Sequence, residues 1–320
     1  GVDFMQVSCG EAFTVAIDSK GHLYTTGSSE YGQLGNGETG EHFVTASKIA
    51  FSNATKFERR SLFVTRDFTK DSLNLASVAD EKIPVHNTGM ISLSSISCGK
   101  NHTVAVEAPP PPGSNQPRRV FSWGCGNFGC LGHRAQADEY SPRLIESLTG
   151  AVFSHNRPTT AACGSQCSMV LTEQGHVYYF GKHRSTGEAT MRPAVMEALA
   201  NNHHVVSAFA GGSQTVVCGT KNGNTVSWGV GPYGELGYGA SGPKSSSKPK
   251  FVEKLDKCIS HQISCGYGHT LFILADEDDE DKAASSKLQI MEEEMLDEFD
   301  VMKLVPFESN VGGKKGRGKK

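Results

Sequence analysis

One short phrase recurs five times along this chain with its internal spacing kept. It opens as Ser8-Cys9-Gly10, Ser97-Cys98-Gly99, Ala162-Cys163-Gly164, Ala210-Gly211-Gly212 and Ser264-Cys265-Gly266. Each opening precedes a β-rich run, such as Phe13–Ile17 or His102–Val106. A turn follows, then a glycine behind an aromatic or small residue: Thr26-Gly27, Trp123-Gly124, Phe180-Gly181, Trp228-Gly229. The two motif glycines are 17 residues apart in three copies, 10 to 27, 164 to 181 and 212 to 229. In the copy from 99 to 124 the gap is longer, and Pro109–Pro112 and Pro117 lie in it. A third motif, Gly-x-Leu-Gly, closes three copies at Gly32–Gly35, Gly129–Gly132 and Gly234–Gly237. The remaining copy reads Lys182–Gly187 instead.

Fixed-period self-similarity marks a repeat architecture, in which each unit is one supersecondary element that buries its faces only against its neighbours. Runs of Val, Ile, Phe and Thr bounded by Gly and Asp are strand and hairpin signals. Asp18–Gly21 and Thr172–Gly175 are turns that place glycine where a positive φ is needed. Each unit therefore reads as strand, tight turn, strand, glycine loop and a further extended segment such as Pro142–Ile145. No helical period recurs between the strands. The expected fold is all-β, a β-propeller with four full repeats and a partial fifth, followed by a C-terminal helix and tail. The repeat glycines Gly10, Gly99, Gly164, Gly212 and Gly266, with Trp123 and Trp228, are its structural residues.

Composition divides the rest. The 320 residues include 36 glycines and carry a net charge of −3, with acidic residues concentrated after residue 275. Residues 1–275 read as the propeller, interrupted by an inserted hairpin or loop at 51–87. Residues 276–320 read as an acidic linker, an amphipathic helix and a basic tail. The acidic run Asp276–Asp281 is expected to be unstructured. Leu288, Met291, Met295, Phe299 and Met302 recur at helical steps beyond it. The inserted segment carries Arg59, Arg60, Arg66, Asp67 and Lys70, a candidate partner-binding protrusion; the plain alternative is a tolerated surface loop. Lys314, Lys315, Arg317, Lys319 and Lys320 form a glycine-spaced basic tail, suited to phosphates or to a nuclear address. No stretch reads as a membrane span or a signal peptide. Nine cysteines without disulfide spacing point to reduced, buried thiols and to a nuclear and/or cytoplasmic protein that is not secreted.

Several patterns invite chemistry and are declined. Gly124–Gly129 and Gly229–Gly234 match the dinucleotide fingerprint, but Leu-Gly follows where that fingerprint requires a helix. Cys125 with Cys130, and Cys163 with Cys167, lack zinc-knuckle spacing and a second ligand pair. His102 and His269 share a repeat position with Phe13, Cys167 and Thr215, which reads as a packing position. No catalytic constellation, cofactor, metal or small-molecule substrate is expected, and the chain is read as a non-enzyme.

The phrase Cys98–Val106, followed by Val120–Gly124 and Gly129–His133, resembles the repeat of the regulator of chromosome condensation family. The resemblance extends over about residues 5–275 and implies a seven-bladed propeller. On that footing two or three N-terminal blades are expected to be missing from this chain or supplied elsewhere. The resemblance also implies protein partners, a small GTPase among them, with guanine-nucleotide exchange as the associated activity. Cell division, chromosomes or the cytoskeleton would be the setting, and chromatin or nucleic acid a further partner through the basic tail. The alternative is a non-catalytic scaffold subunit of a larger assembly.

Overall fold

The structure, a computed structural model, describes residues 3–37, 43–45, 48–50, 54–60, 91–114, 118–182, 189–200 and 206–288. In the first sheet, β1 (Phe4–Cys9), β2 (Phe13–Asp18) and β3 (Leu23–Gly27) run antiparallel in chain order. A small hairpin of β4 (Phe43–Thr45) and β5 (Lys48–Ala50) follows, and β6 (Ala54–Arg60) then returns to pair with β3. The second sheet holds β7 (Leu93–Cys98), β8 (His102–Glu107), β9 (Val120–Gly124) and β10 (Glu139–Leu144). The third holds β11 (Pro158–Cys163), β12 (Cys167–Thr172), β13 (Val177–Lys182) and β14 (Ala189–Val195). The fourth holds β15 (Val206–Gly211), β16 (Thr215–Thr220), β17 (Thr225–Val230) and β18 (Ser245–Phe251). A two-stranded fifth sheet pairs β19 (Ser260–Cys265) with β20 (Thr270–Leu274). Four four-stranded sheets and a partial fifth are the count that the repeated phrase predicts.

The cores lie between successive sheets, as blades require. Phe13, Val15, Leu34, Ile96, Phe121 and Trp123 fill the first seam, and Val104, Ile145, Leu148, Val170 and Phe180 the second. Met169, Tyr179, Val216, Cys218 and Trp228 fill the third, and Ala208, Val217 and Ile263 the fourth. The middle strands are therefore buried on both faces; β8, β9 and β12 are buried almost throughout. That is why their sequences are continuous apolar or small runs and not alternating ones. The outer strands β10, β14 and β18 are half-exposed and carry the charged residues and prolines.

Two sequence readings change. Ala54–Arg60, assigned to the insertion, is the outer strand of the first sheet, with Arg60 opposite Leu23 and Arg59 opposite Tyr24. Alternation was a weak signal there because an outer strand needs only one apolar face. The acidic run is not unstructured: Asp278 caps a short helix at Asp279–Ser285 by accepting from the Glu280 and Asp281 amides. Carboxylates gathered in a first turn favour a helix start, through capping and the helix dipole. The rest of the inserted hairpin or loop beyond Arg60, with Arg66, Asp67 and Lys70, most of the 288–302 helix and the basic tail lie outside the described residues.

Candidate functional site

Every sheet has two ends, and the repeat treats them differently. At one end sit the turns joining first and second strands, together with the loop that leaves the third strand. The amide after each second-motif glycine donates to the residue before the second strand. These bonds are Ser28 to Ala12, Cys125 to Asn101, Lys182 to Gln166 and Val230 to Gln214, at 2.8–3.0 Å. A Cβ on Gly27, Gly124, Gly181 or Gly229 would lie within 2.7 Å of that same turn, and all four have φ near +100°. Close approach and left-handed backbone together explain why this position is glycine.

The turns also meet one another. Glu11 N donates to Lys100 O, Lys100 N to Ser165 O and Ser165 N to Gly212 O, at 2.9–3.1 Å. Lys100 and Glu11 form an exposed ion pair of 3.3 Å. Further along this face Tyr233 and Tyr267, both largely exposed, sit 6.5 Å apart between ring centres. Exposed tyrosines beside polar turns are the composition of a protein-binding surface. Sequence reasoning missed this pair. The signal was the aromatic residue ahead of each Gly-x-Leu-Gly, Tyr31, Phe128 and Tyr233.

The first-strand phrase is a contact between sheets. Ser8 Oγ accepts from Cys98 N and Ser97 Oγ from Cys163 N, both at 2.9 Å, while the Cys98 and Cys163 thiols donate to the Ser8 and Ser97 carbonyls. Burial pushes the Cys98 thiol up to about 12 and raises those of Cys163 and Cys130 as well. None of these thiols is a nucleophile at neutral pH. Cys130 donates to the Cys125 carbonyl. Among the described residues no group of three His, Cys, Asp or Glu is placed to hold a metal ion. Cys9 departs from the expected burial and is exposed.

The Gly-x-Leu-Gly loop seals each seam that has one. Leu34, Leu131 and Leu236 are buried, and their carbonyls accept from Thr25, Ser122 and Ser227. The preceding carbonyl accepts from the next sheet: Gln33 from Trp123 Nε1, Cys130 from Ser168 Oγ, Glu235 from Thr270 Oγ1, at 2.7–3.0 Å. His102 Nε2 lies 2.9 Å from the same Ser168 hydroxyl, so its position is a hydrogen-bonding one as well as a packing one. Burial pushes His102 down to about 4, leaving it neutral. His269, at the equivalent place, is exposed. Both nucleotide-fingerprint matches fall in these loops, where Gly129 ends a single 3-10 turn and Gly234 leads into buried Leu236.

The third-to-fourth seam differs. Ser168 and Phe180 oppose one another in the third sheet, as do Val216 and Trp228 in the fourth. Val216 therefore stands where Ser168 supplies a hydroxyl. Ala162 and Gly211 stand where the two preceding seams have a serine and a cysteine, Ser8 with Cys98 and Ser97 with Cys163. A cleft of about 110 Å³ lies here, lined by Cys167, Tyr179, Val216, Trp228 and Gly229 and flanked by Gln166 and Gln214.

At the opposite end of the sheets lie the turns between second and third strands, including the largely exposed proline loop 109–114. Arg59 and Arg60 reach this end, because Arg60 pairs with Leu23. The chain also returns here, with Ser92 Oγ donating to Lys20 O and Leu93 N to Gly21 O. The segment between Arg60 and Ile91 therefore leaves and re-enters beside one turn. No helix among the described residues is long and apolar enough to cross a membrane.

Residues 119–171 and 222–273 match the Regulator of chromosome condensation (RCC1) repeat, and residues 6–33 match a second form of it. The Protein RCC2 homolog of Danio rerio is 34% identical over 289 residues, which cover 90% of this chain and 53% of that protein. Protein RCC2 of Homo sapiens is 33% identical, with coverage of 90% and 50%. The chain thus spans about half the length of the curated relatives it matches. The crystal structure of Prp20p from Saccharomyces cerevisiae, a protein characterised for binding to Gsp1p and histones, superposes with a TM-score of 0.59. It is 18% identical, with 94% of this chain and 60% of Prp20p covered. Its likeness is one of fold, a propeller of the same repeat. By its repeated phrase, its sheet order and these matches, this chain carries regulator of chromosome condensation (RCC1) repeats.

Proposed function

We propose that this chain is a protein-binding propeller segment that regulates a small GTPase, with guanine-nucleotide exchange as its mode of action. The observation that carries the reading is the placement of Arg59 and Arg60. They lie at one end of a sheet-locked blade, at the root of a long segment that leaves and returns beside a single turn. Exchange needs no covalent chemistry. It needs a rigid surface and an element that disturbs the nucleotide's phosphates and its magnesium ion, and Arg66, Asp67 and Lys70 give the segment charge for that task. The binding of Prp20p to Gsp1p supports the choice of partner class. The test is release of labelled GDP from a panel of Rho-, Ras- and Ran-class GTPases. Faster release with the protein, slowed when Arg59, Arg60 and Arg66 are replaced by alanine, supports the reading; unchanged release across the panel removes it.

A second reading, a non-catalytic scaffold subunit, is favoured by the apolar residues exposed at the two ends of the row of sheets. Met5 and Val7 stand at one end, Leu271 and Ile273 at the other. Large exposed apolar residues grouped on one strand mark a surface that another chain covers. Deletion of 282–305 then abolishes co-purification of partners. Nucleic-acid binding through Lys314, Lys315, Arg317, Lys319 and Lys320 is a further proposal; it predicts affinity that falls steeply with salt.

A further inference from the structure

We propose that the proline loop between β8 and β9 is a recognition segment, taken up in the aromatic-lined groove of an SH3-type domain on a protein partner. The proposal rests on reading the chain as a protein-binding propeller, and on no choice of GTPase. Its first warrant is position. In the first, third and fourth sheets the second and third strands are joined by tight turns, at Asp18–Gly21, Thr172–Gly175 and Thr220–Gly223. In the second sheet the same connection carries Ala108–Pro112 outward, and Pro109, Pro111 and Pro112 are exposed. The sheet does not need this loop to close, because its three counterparts close without one.

The backbone of the run is set by its prolines. Ala108, Pro109, Pro110 and Pro111 each precede a proline, which bars them from the helical region and favours extended polyproline II. The run ends in a turn in which Ser114 N donates to Pro111 O at 3.1 Å and Gly113 has φ +86°, with proline and glycine at the places a type II turn wants them. Polyproline II has three residues per turn, so Pro109 and Pro112 share one face, the Pro-x-x-Pro spacing that such grooves read. The base of the loop is held. Ala108 N donates to Ser92 O at 2.8 Å, Arg119 Nε to the Glu107 carboxylate at 2.8 Å, and Arg157 Nη2, at the start of the next sheet, to Ser114 O at 2.6 Å. A segment already held in its bound shape loses little freedom on binding.

Charge selects among polyproline readers. Arg119 is paired with Glu107. Arg118 and Arg157 form no ion pair among the described residues, and each keeps a buried Nε–H without a partner. Burial lowers the Arg118 guanidinium below its usual range; the charge of Glu173 opposes this and that of Arg157 adds to it. The prolines therefore stand beside net positive charge, which complements a groove with acidic residues at one end. The run continues as Gly113-Ser114, without the tyrosine of a Pro-Pro-x-Tyr ligand for WW domains.

The test titrates the full chain with an isolated SH3 domain whose aromatic groove is rimmed by acidic residues, and separately with WW and EVH1 domains. The SH3 domain binds, shifting the amide signals of Ala108, Gly113 and Ser114 in a nitrogen-15 spectrum and leaving the Trp123 and Trp228 indoles in place. Pro109→Ala together with Pro112→Ala, a change confined to the exposed loop, keeps the urea midpoint and weakens binding about tenfold or more. Neutralising the rim carboxylates of the SH3 domain, which leaves this chain intact, weakens it about threefold. No binding by the SH3 domain, equal binding of the double-alanine chain, no effect of rim neutralisation, or shifts confined to another surface overturns the proposal. Binding by WW or EVH1 domains alone overturns it too. GDP release involves none of these domains, so a negative GTPase panel leaves the recognition segment standing, and its failure leaves the GDP-release result untouched.

Discussion

Between the second and third sheets four devices act together. Ser97 holds Cys163, the buried Leu131 loop packs on Phe180, Ser168 bonds the Cys130 carbonyl, and His102 bonds Ser168. Between the third and fourth sheets the matching positions hold Ala162 and Gly211, no Gly-x-Leu-Gly, Val216 in place of the serine, and Cys167 in place of His102. The losses are complementary. Where the Gly-x-Leu-Gly phrase is absent from the sequence, the hydroxyl that would donate to it is absent too, since Val216 stands in the place of Ser168. Gly211 lets the two backbones come close, since a Cβ there would sit 2.7–2.9 Å from Gly164 and Cys163. The comparison teaches that the repeat phrase is a matched set of contacts made across seams, and that one seam has dropped the set as a unit.

Four measurements break or sharpen that contrast. The largest effect is expected from Leu131→Ala, which empties the sealed seam at a fully buried site; urea unfolding should show a loss of about 2–5 kcal/mol. Acid comes next. His102 falls from its ordinary 6.5 to about 4 on folding, so the unfolded chain binds the extra proton in that window. Stability is full above about pH 6.5 and declines as pH falls towards 4, by about 3 kcal/mol. His133, pushed down to about 3 by burial and by Arg143, adds to the same decline. His102→Gln should flatten the pH dependence of the urea midpoint, and an unaltered profile would sink the assignment. Ser168→Val, which copies Val216 into the sealed seam, strands the Cys130 carbonyl and His102 and should cost about 1–3 kcal/mol. The smallest effect separates the two tryptophans. Trp123→Phe strands the Gln33 carbonyl and should cost about 1–2 kcal/mol more than Trp228→Phe, whose N–H bonds no described residue.

Much of this fold was legible because strands and tight turns are short-range objects. The positions of Gly21, Gly27 and Gly175 follow from turn chemistry, and the strands after each Cys-Gly follow from β-branched runs. The candidate site was less legible. Arg59 and Arg60 were visible as charge, but nothing local said that they belong to an outer strand. The Tyr233–Tyr267 pair joins residues from different repeats, and His102 looked like packing because its partner Ser168 lies 66 positions away.

By itself the sequence determined the repeating unit, its glycines, its strands and the number of sheets, since each of these is set by backbone preferences within a few residues. Only the tertiary structure decided which residues bond across seams, which ends gather the turns, and which seam keeps the serine–cysteine and hydroxyl–carbonyl contacts. Those depend on how one unit's side chains meet the next unit's backbone, a distance in space that spacing along the chain does not encode.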